Sequence, residues 1–139
     1  MTIDVDVFIR SDNRYPNMLP NPLTKSRHQT ALGLTATDPT QPVLGVYAGG
    51  GTWQYWDRDK YVNSNTKIAY DVWNHLQMAF DTATGTYQVV VQPVGEVPTR
   101  VVKGVRAVAT KDVRFVISPS NSADHTSLYD NLLIATRPK

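Results

Sequence analysis

Apolar and polar residues alternate with a period of two along most of this chain, the pattern of strands with one buried face. From Thr2 to Arg10, Ile3, Val5, Val7 and Ile9 fall on one side and Asp4, Asp6, Phe8 and Arg10 on the other. Val43, Gly45 and Tyr47 continue the alternation. Leu76, Met78 and Phe80 then oppose His75, Gln77 and Ala79; Tyr87, Val89 and Val91 oppose Gln88, Val90 and Gln92; Val113, Phe115 and Ile117 repeat the theme. A last strand is expected from about Ser127 to Thr136. Between these runs lie turn signals such as Ser11-Asp12-Asn13, Asp38-Pro39, Gly49-Gly50-Gly51, Thr84-Gly85, Gly95 and Ser118-Pro119-Ser120-Asn121, spaced as in a sandwich.

No stretch keeps helical periodicity for three turns. Asp71 to Asp81 comes nearest, with Val72, Leu76 and Ala79 at helical spacing. A helix there would leave Met78 and Phe80 facing outward, whereas a strand buries Leu76, Met78 and Phe80 together, so a strand is expected. Asp81-Thr82-Ala83-Thr84-Gly85 closes a hairpin into Thr86-Tyr87, with Gly85 free to take a positive φ. Arg10 to Gln29, with three prolines and three asparagines, reads as a loop within one domain, because only nine residues precede it. No internal repeat is present.

At 139 residues, with 41% hydrophobic positions, the chain is expected to form a single β-sandwich domain over residues 1–139. The absence of cysteine rules out a disulfide framework and any thiolate metal or redox site. A net charge of +2, from 14 basic and 12 acidic residues spread along the chain, makes no basic stripe, so no nucleic-acid partner is expected. No apolar run approaches twenty residues and no signal peptide opens this chain, so no membrane insertion is expected; the chain is also consistent with a domain excised from a secreted protein.

Trp73-Asn74-His75-Leu76-Gln77-Met78-Ala79-Phe80-Asp81, followed by Thr84-Gly85-Thr86-Tyr87-Gln88-Val89, resembles a strand pair of the concanavalin A-like lectin/glucanase (laminin-G-like) jelly rolls. Leu128-Tyr129-Asp130-Asn131-Leu132-Leu133-Ile134 resembles the closing strand of the same group. The resemblance covers roughly residues 40–136 and implies an all-β, two-sheet antiparallel jelly roll, a carbohydrate-related role and an extracellular or cell-surface setting. Against that group the chain looks short at its N-terminus. It would then be a minimal version, a fragment of a larger parent protein, or a chain that completes its sheets with a neighbour, and an uncovered edge strand is a template for a homo-oligomer.

Catalytic candidates are sparse. The glucanases of this group carry paired carboxylates along one strand in a Glu-x-Asp-x-x-Glu pattern, which is absent here. Asp4 and Asp6 have i, i+2 spacing, but the chain's single Glu, Glu96, lies elsewhere in a turn. They read as solvated or paired strand residues. His75 beside Gln77 faintly resembles the Gln-x-His of lyases on similar sandwiches. Ser122-Ala123-Asp124-His125 lacks a nucleophile elbow, and His28, His75 and His125 lack zinc spacing. Asp124 and Asp130, near Asn131, are the candidates for a structural calcium; Asx-turn and corner roles are the alternative.

Trp53, Tyr55, Trp56 and Tyr61 fall within nine residues, beside Gly49-Gly50-Gly51 and amid Gln54, Asp57, Arg58, Asp59 and Asn65. Flat aromatic faces edged with amides and carboxylates suit a sugar ring. Alternation splits the cluster, with Trp53 and Tyr55 expected to pack and Trp56 to reach outward. Trp73 reads as a packing residue. Arg14-Tyr15, with Arg27 and His28, is a further candidate wall for an acidic saccharide. The leading expectation is a non-catalytic carbohydrate-binding domain using Trp53, Tyr55, Trp56, Gln54, His75, Gln77 and Gln88. The alternatives are an assembly module working through an open sheet edge and a glycan-degrading hydrolase or lyase.

Overall fold

The computed structural model describes residues 1–10, 28–35, 42–49, 51–107, 114–119 and 127–136. These residues form ten strands and no helix: β1 (Thr2–Ile9), β2 (His28–Thr35), β3 (Pro42–Gly49), β4 (Thr52–Asp57), β5 (Lys60–Lys67), β6 (Trp73–Asp81), β7 (Thr86–Pro93), β8 (Thr99–Arg106), β9 (Arg114–Pro119) and β10 (Ser127–Ala135). All neighbouring strands pair antiparallel. A front sheet runs in the order β10-β1-β6-β7-β8 and a back sheet in the order β5-β4-β3-β2-β9. The two form a sandwich of the kind found in jelly rolls.

Alternation makes the core. β1 buries Ile3, Val5, Val7 and Ile9, β6 buries Leu76 and Met78, and β7 buries Tyr87, Val89 and Val91. Enclosing each of these aliphatic side chains contributes about 1.5–3 kcal/mol. From the back sheet come Leu32, Leu34, Leu44, Val46, Ala48 and Trp53. In β3 the residues opposite the inward Trp53 and Tyr55 are Ala48 and Val46, so Gly45 and Tyr47 take the other face. Tyr87 ties the sheets together: its hydroxyl donates across the core to the carbonyl oxygen of Trp56 and lies 3.5 Å from that of Gly45. Burial pushes this phenol well above its ordinary pKa, a trend that the Gly45 hydrogen bond opposes and nearby Tyr61 and Asp57 reinforce.

The hairpin expected at Asp81–Gly85 joins β6 to β7, and Gly85 has φ +68°. The Asp81 carboxylate accepts the Ala83 amide at 2.9 Å, and such turn bonds hold its pKa below the usual range. The loop expected over Arg10–Gln29 lies mostly outside the described residues, but its last two residues begin β2, which pairs with β3 and β9. Val113, Asp124, Arg14, Tyr15 and Arg27 also lie outside them.

Three of the β-bulges lie in the front sheet and shape its exposed face. In β10, Asn131 and Leu132 stand against Val5 alone, and Asn131 adopts φ +53°. In β8 the register against β7 shifts twice, with Gly104 at φ +75° in the second shift. An extra residue bends a strand and re-aims its neighbours.

Candidate functional site

The exposed face of the front sheet carries a connected polar network. Asp4 and Asp6 leave β1 on its outer side, and their partners across β6 are Gln77 and His75. His75 stands between the carboxylates, with Nδ1 2.8 Å from Asp6 Oδ1 and Nε2 3.4 Å from Asp4 Oδ1. Gln77 Nε2 donates to Asp4 Oδ1 at 2.9 Å. On the other flank Asn131 Nδ2 donates to Asp6 Oδ2 at 2.7 Å, aimed there by the β10 bulge. The Asn131 backbone N–H donates in turn to Asp130 Oδ1 at 2.8 Å. The two carboxylates are three-quarters covered or more while the imidazole stays 46% exposed, so His75, with exposed Gln77 and Asn131, forms the outer surface of the network.

Asp6 titrates below the ordinary carboxylate range. Burial works against this by raising the pKa, but the Asn131 hydrogen bond, the His75 hydrogen bond and the His75 charge together outweigh it. Asp6 is therefore an anion at neutral pH and acts as an acceptor.

One row along the face lies an aromatic pair. Phe8 and Trp73 are register partners, and their rings meet edge to face with centroids 5.6 Å apart. Trp73 shares its face with His75 and Gln77, because Asn74, Leu76 and Met78 alternate inward. Buried Asn74 holds the strand entry by donating to the Ala69 and Val72 carbonyls at 2.9 and 3.1 Å. In the other direction the face opens into a groove of ≈ 850 Å³ across all five strands. Thr2, Ala79, Gln88 and Lys103 form its floor and Ala135 one end. Strand spacing makes that crossing about 19 Å long.

The residues expected to bind together are divided by this geometry. His75, Gln77 and Gln88 share the outer face of the front sheet. Trp53 is enclosed in the core at 0% exposure, so it presents no face to a ligand and is corrected to a core residue. Tyr55 packs against that core. Gln54 and Trp56 lie on the outer face of the back sheet, on the opposite side of the sandwich. There Trp56 meets Tyr61 at 5.0 Å and Tyr61 meets Tyr47 at 4.8 Å. The single aromatic and polar site expected from the Trp53–Tyr61 cluster and the His75 strand is therefore not one site.

Trp73, Phe8 and Asn131 join the front face although the sequence reading assigned them no ligand role. The parity of Trp73 with His75 along one strand was the available signal. The contribution of Asn131 depends on a bulge that no residue pattern announces. Among the described residues no group of three or more His, Asp or Glu side chains is arranged to hold a metal ion, and no helix is long and apolar enough to cross a membrane.

Fold and face together describe an all-β sandwich whose front sheet carries an aromatic pair, a clamped imidazole and a groove. No family model matches the chain, and no curated protein matches it. Among solved structures, the chain is similar to the catalytic domain of the glycoside hydrolase family 131 protein from Coprinopsis cinerea, with a TM-score of 0.60 and 12% identity. The match covers 99% of this chain and 56% of that one, so the chain spans about half the length of its neighbour. That likeness is one of fold.

Proposed function

We propose that the chain is a non-catalytic carbohydrate-binding sandwich of the concanavalin A-like kind, and that its ligand lies across the exposed face of the front sheet. The carrying observation is the placement of Trp73 and Phe8 directly beside the Asp4–His75–Asp6 network, all on one face. An aromatic ring receives the apolar face of a sugar, and the fixed carboxylate, imidazole and amide groups around it receive hydroxyls. Fixing the polar groups beforehand lowers the ordering entropy lost on binding. A carbohydrate-related neighbour in fold supports the same reading. The test is affinity electrophoresis and a glycan array with wild type, Trp73→Ala and His75→Ala. Retention is expected to fall at least about tenfold in Trp73→Ala, in line with the loss of one stacked aromatic contact. Retention unchanged in both variants would overturn the proposal. Running the array with a chelator separates calcium-dependent binding from the rest.

A second reading, glycan cleavage, draws on the two carboxylates that flank one imidazole. Only a ring protonated on both nitrogens donates to Asp4 and Asp6 together, and such a ring is an acid beside two acceptors. Asp6 stays ionised and accepts, which leaves His75, hydrogen-bonded to it, as the donor on that side of the network. Release of reducing ends or unsaturated products from a polysaccharide panel, lost in His75→Ala, would replace binding with catalysis. An assembly role draws on edge strand β10, where Leu128, Leu132, Leu133 and Ile134 are each 45–58% exposed. Sedimentation velocity across micromolar concentrations, without glycan, tests it.

A further inference from the structure

The face that carries the proposed glycan site is electrically divided. Asp4, Asp6 and Asp130 lie on β1 and β10, at one side. On edge strand β8, at the other side, Arg100, Lys103 and Arg106 are all exposed. Strict alternation would send Lys103 to the face opposite Arg100 and Arg106. The two register shifts against β7 prevent this. Val101 and Val102 both turn into the core, and Gly104 takes the positive φ of the second shift. Arg100 therefore stands beside Val90, Lys103 beside Gln88 and Arg106 beside Thr86, all on the outer face. The bulges turn three scattered cations into one basic rim.

The rim borders the groove directly, since Lys103 and Gln88 both line it. Among the described residues no ion pair engages Arg100, Lys103 or Arg106. Two acidic groups stand near the rim without pairing to it. Asp81 is two strands away across Thr86, its carboxylate occupied by the hairpin amide, and Glu96 is in the exposed β7–β8 turn. Between the rim and the imidazole lies β7, whose outer face carries the hydrogen-bonding amides Gln88 and Gln92 on either side of Val90, while Gln77 adds a third amide beside His75 on β6.

We propose that the ligand of this face is an acidic glycan, bearing uronate groups, oriented with a carboxylate on the Arg100–Lys103–Arg106 rim and a neutral sugar ring over Trp73 and His75. This rests on the carbohydrate-binding reading above and specifies its substrate class. Arginine matches a carboxylate with two parallel donors, and lysine adds a point charge within the groove. The carboxylates of β1 repel an acidic group placed at the opposite end, so the charge division gives the chain one direction of binding.

The experiment compares affinity electrophoresis in gels of alginate, polygalacturonate and glucuronoxylan, each beside its methyl-esterified, uncharged form. Four proteins are run: wild type, Trp73→Ala, the rim triple Arg100→Gln/Lys103→Gln/Arg106→Gln, and a back-sheet triple Arg58→Gln/Lys60→Gln/Lys67→Gln with the same net charge as the rim triple. Circular dichroism checks that each is folded. Retention by at least one acidic polymer is expected to exceed that by its ester, and to fall about tenfold in the rim triple, as three exposed charge contacts allow. It should survive in the back-sheet triple and weaken with salt. Equal retention of acid and ester, lost in Trp73→Ala, would overturn the acidic-ligand inference and leave carbohydrate binding standing. Equal losses in the two triples would show unspecific charge attraction and overturn it as well. Retention of no polymer, charged or esterified, with no binding on the glycan array, would overturn both proposals.

Discussion

Asn131 shows how one side chain sets the chemistry of another across the whole chain. Its backbone sits at φ +53°, a conformation that asparagine tolerates better than most residues, and this is what turns its amide toward Asp6. Asn131→Ala removes the largest influence that lowers the Asp6 pKa. The Asp6 carboxyl is then expected to titrate at higher pH, read from its carbon chemical shift in an NMR titration. The sign for stability follows. A carboxyl whose folded pKa is depressed stabilises above its unfolded pKa, near the reference value of 3.8, and that stability is lost as pH falls through the folded pKa. In the variant this part of the acid transition shrinks. The tyrosines act at the other extreme. Burial, together with neighbouring Tyr47, pushes the Tyr61 phenol from 10.0 up to about 12. Above pH 10 the unfolded chain ionises while the folded one resists, so stability should fall as pH rises from about 10 to 12. Urea midpoints measured across that range are expected to fall less steeply in Tyr61→Phe than in wild type.

The strands depend on a few backbone positions. β2 and β3 meet at the glycine pair Gly33 and Gly45. A Cβ on Gly33 would press against the Leu44 carbonyl oxygen and stand 2.7 Å from Gly45 Cα, both backbone atoms that yield only if the strands separate. Gly33→Ala is therefore expected to destabilise by about 1–3 kcal/mol, the range for overpacking, seen as a lower urea midpoint with an unchanged slope. The Gly85 turn differs, because a Cβ there meets nothing within 4 Å and only its φ of +68° resists substitution. Gly85→Ala should cost about 1–2 kcal/mol through backbone strain alone. The same logic explains why β8 carries its cations on one side: Gly104 tolerates the bulge conformation that brings Lys103 round.

Over the whole molecule, the arrangement of the two sheets separates the aromatic clusters. Trp56, Tyr61 and Tyr47 face outward from the back sheet, while Trp73 and Phe8 face outward from the front. A ligand on one face cannot touch the other cluster through a core of interlocked side chains. Trp56→Ala is accordingly expected to leave glycan retention within about twofold of wild type, whereas Trp73→Ala lowers it at least about tenfold; independence of distant sites is the general rule. Both variants belong in the same gel, so that a difference in folding and a difference in binding are read side by side.

Residue order alone made much of this legible. The strands with regular alternation, β1, β6 and β7, and the Asp81–Gly85 hairpin could be read directly, because burying one face of a strand requires a period of two. The antiparallel two-sheet sandwich followed from those runs and their turns. Strands β2, β5 and β8 were not legible: β2 interrupts its apolar face with glycine, β5 is largely polar, and β8 breaks parity twice with bulges. The separation of Trp56 from His75 was equally hidden, since nearness along the chain says nothing about which sheet a strand joins. Partners such as Asp6 and Asn131, 125 positions apart, are brought together by strand pairing between the two ends of the chain. Local periodicity thus specified which residues each regular strand buries. Long-range pairing and register specified which exposed residues share a face, because those depend on contacts that exist only once the sheets have closed.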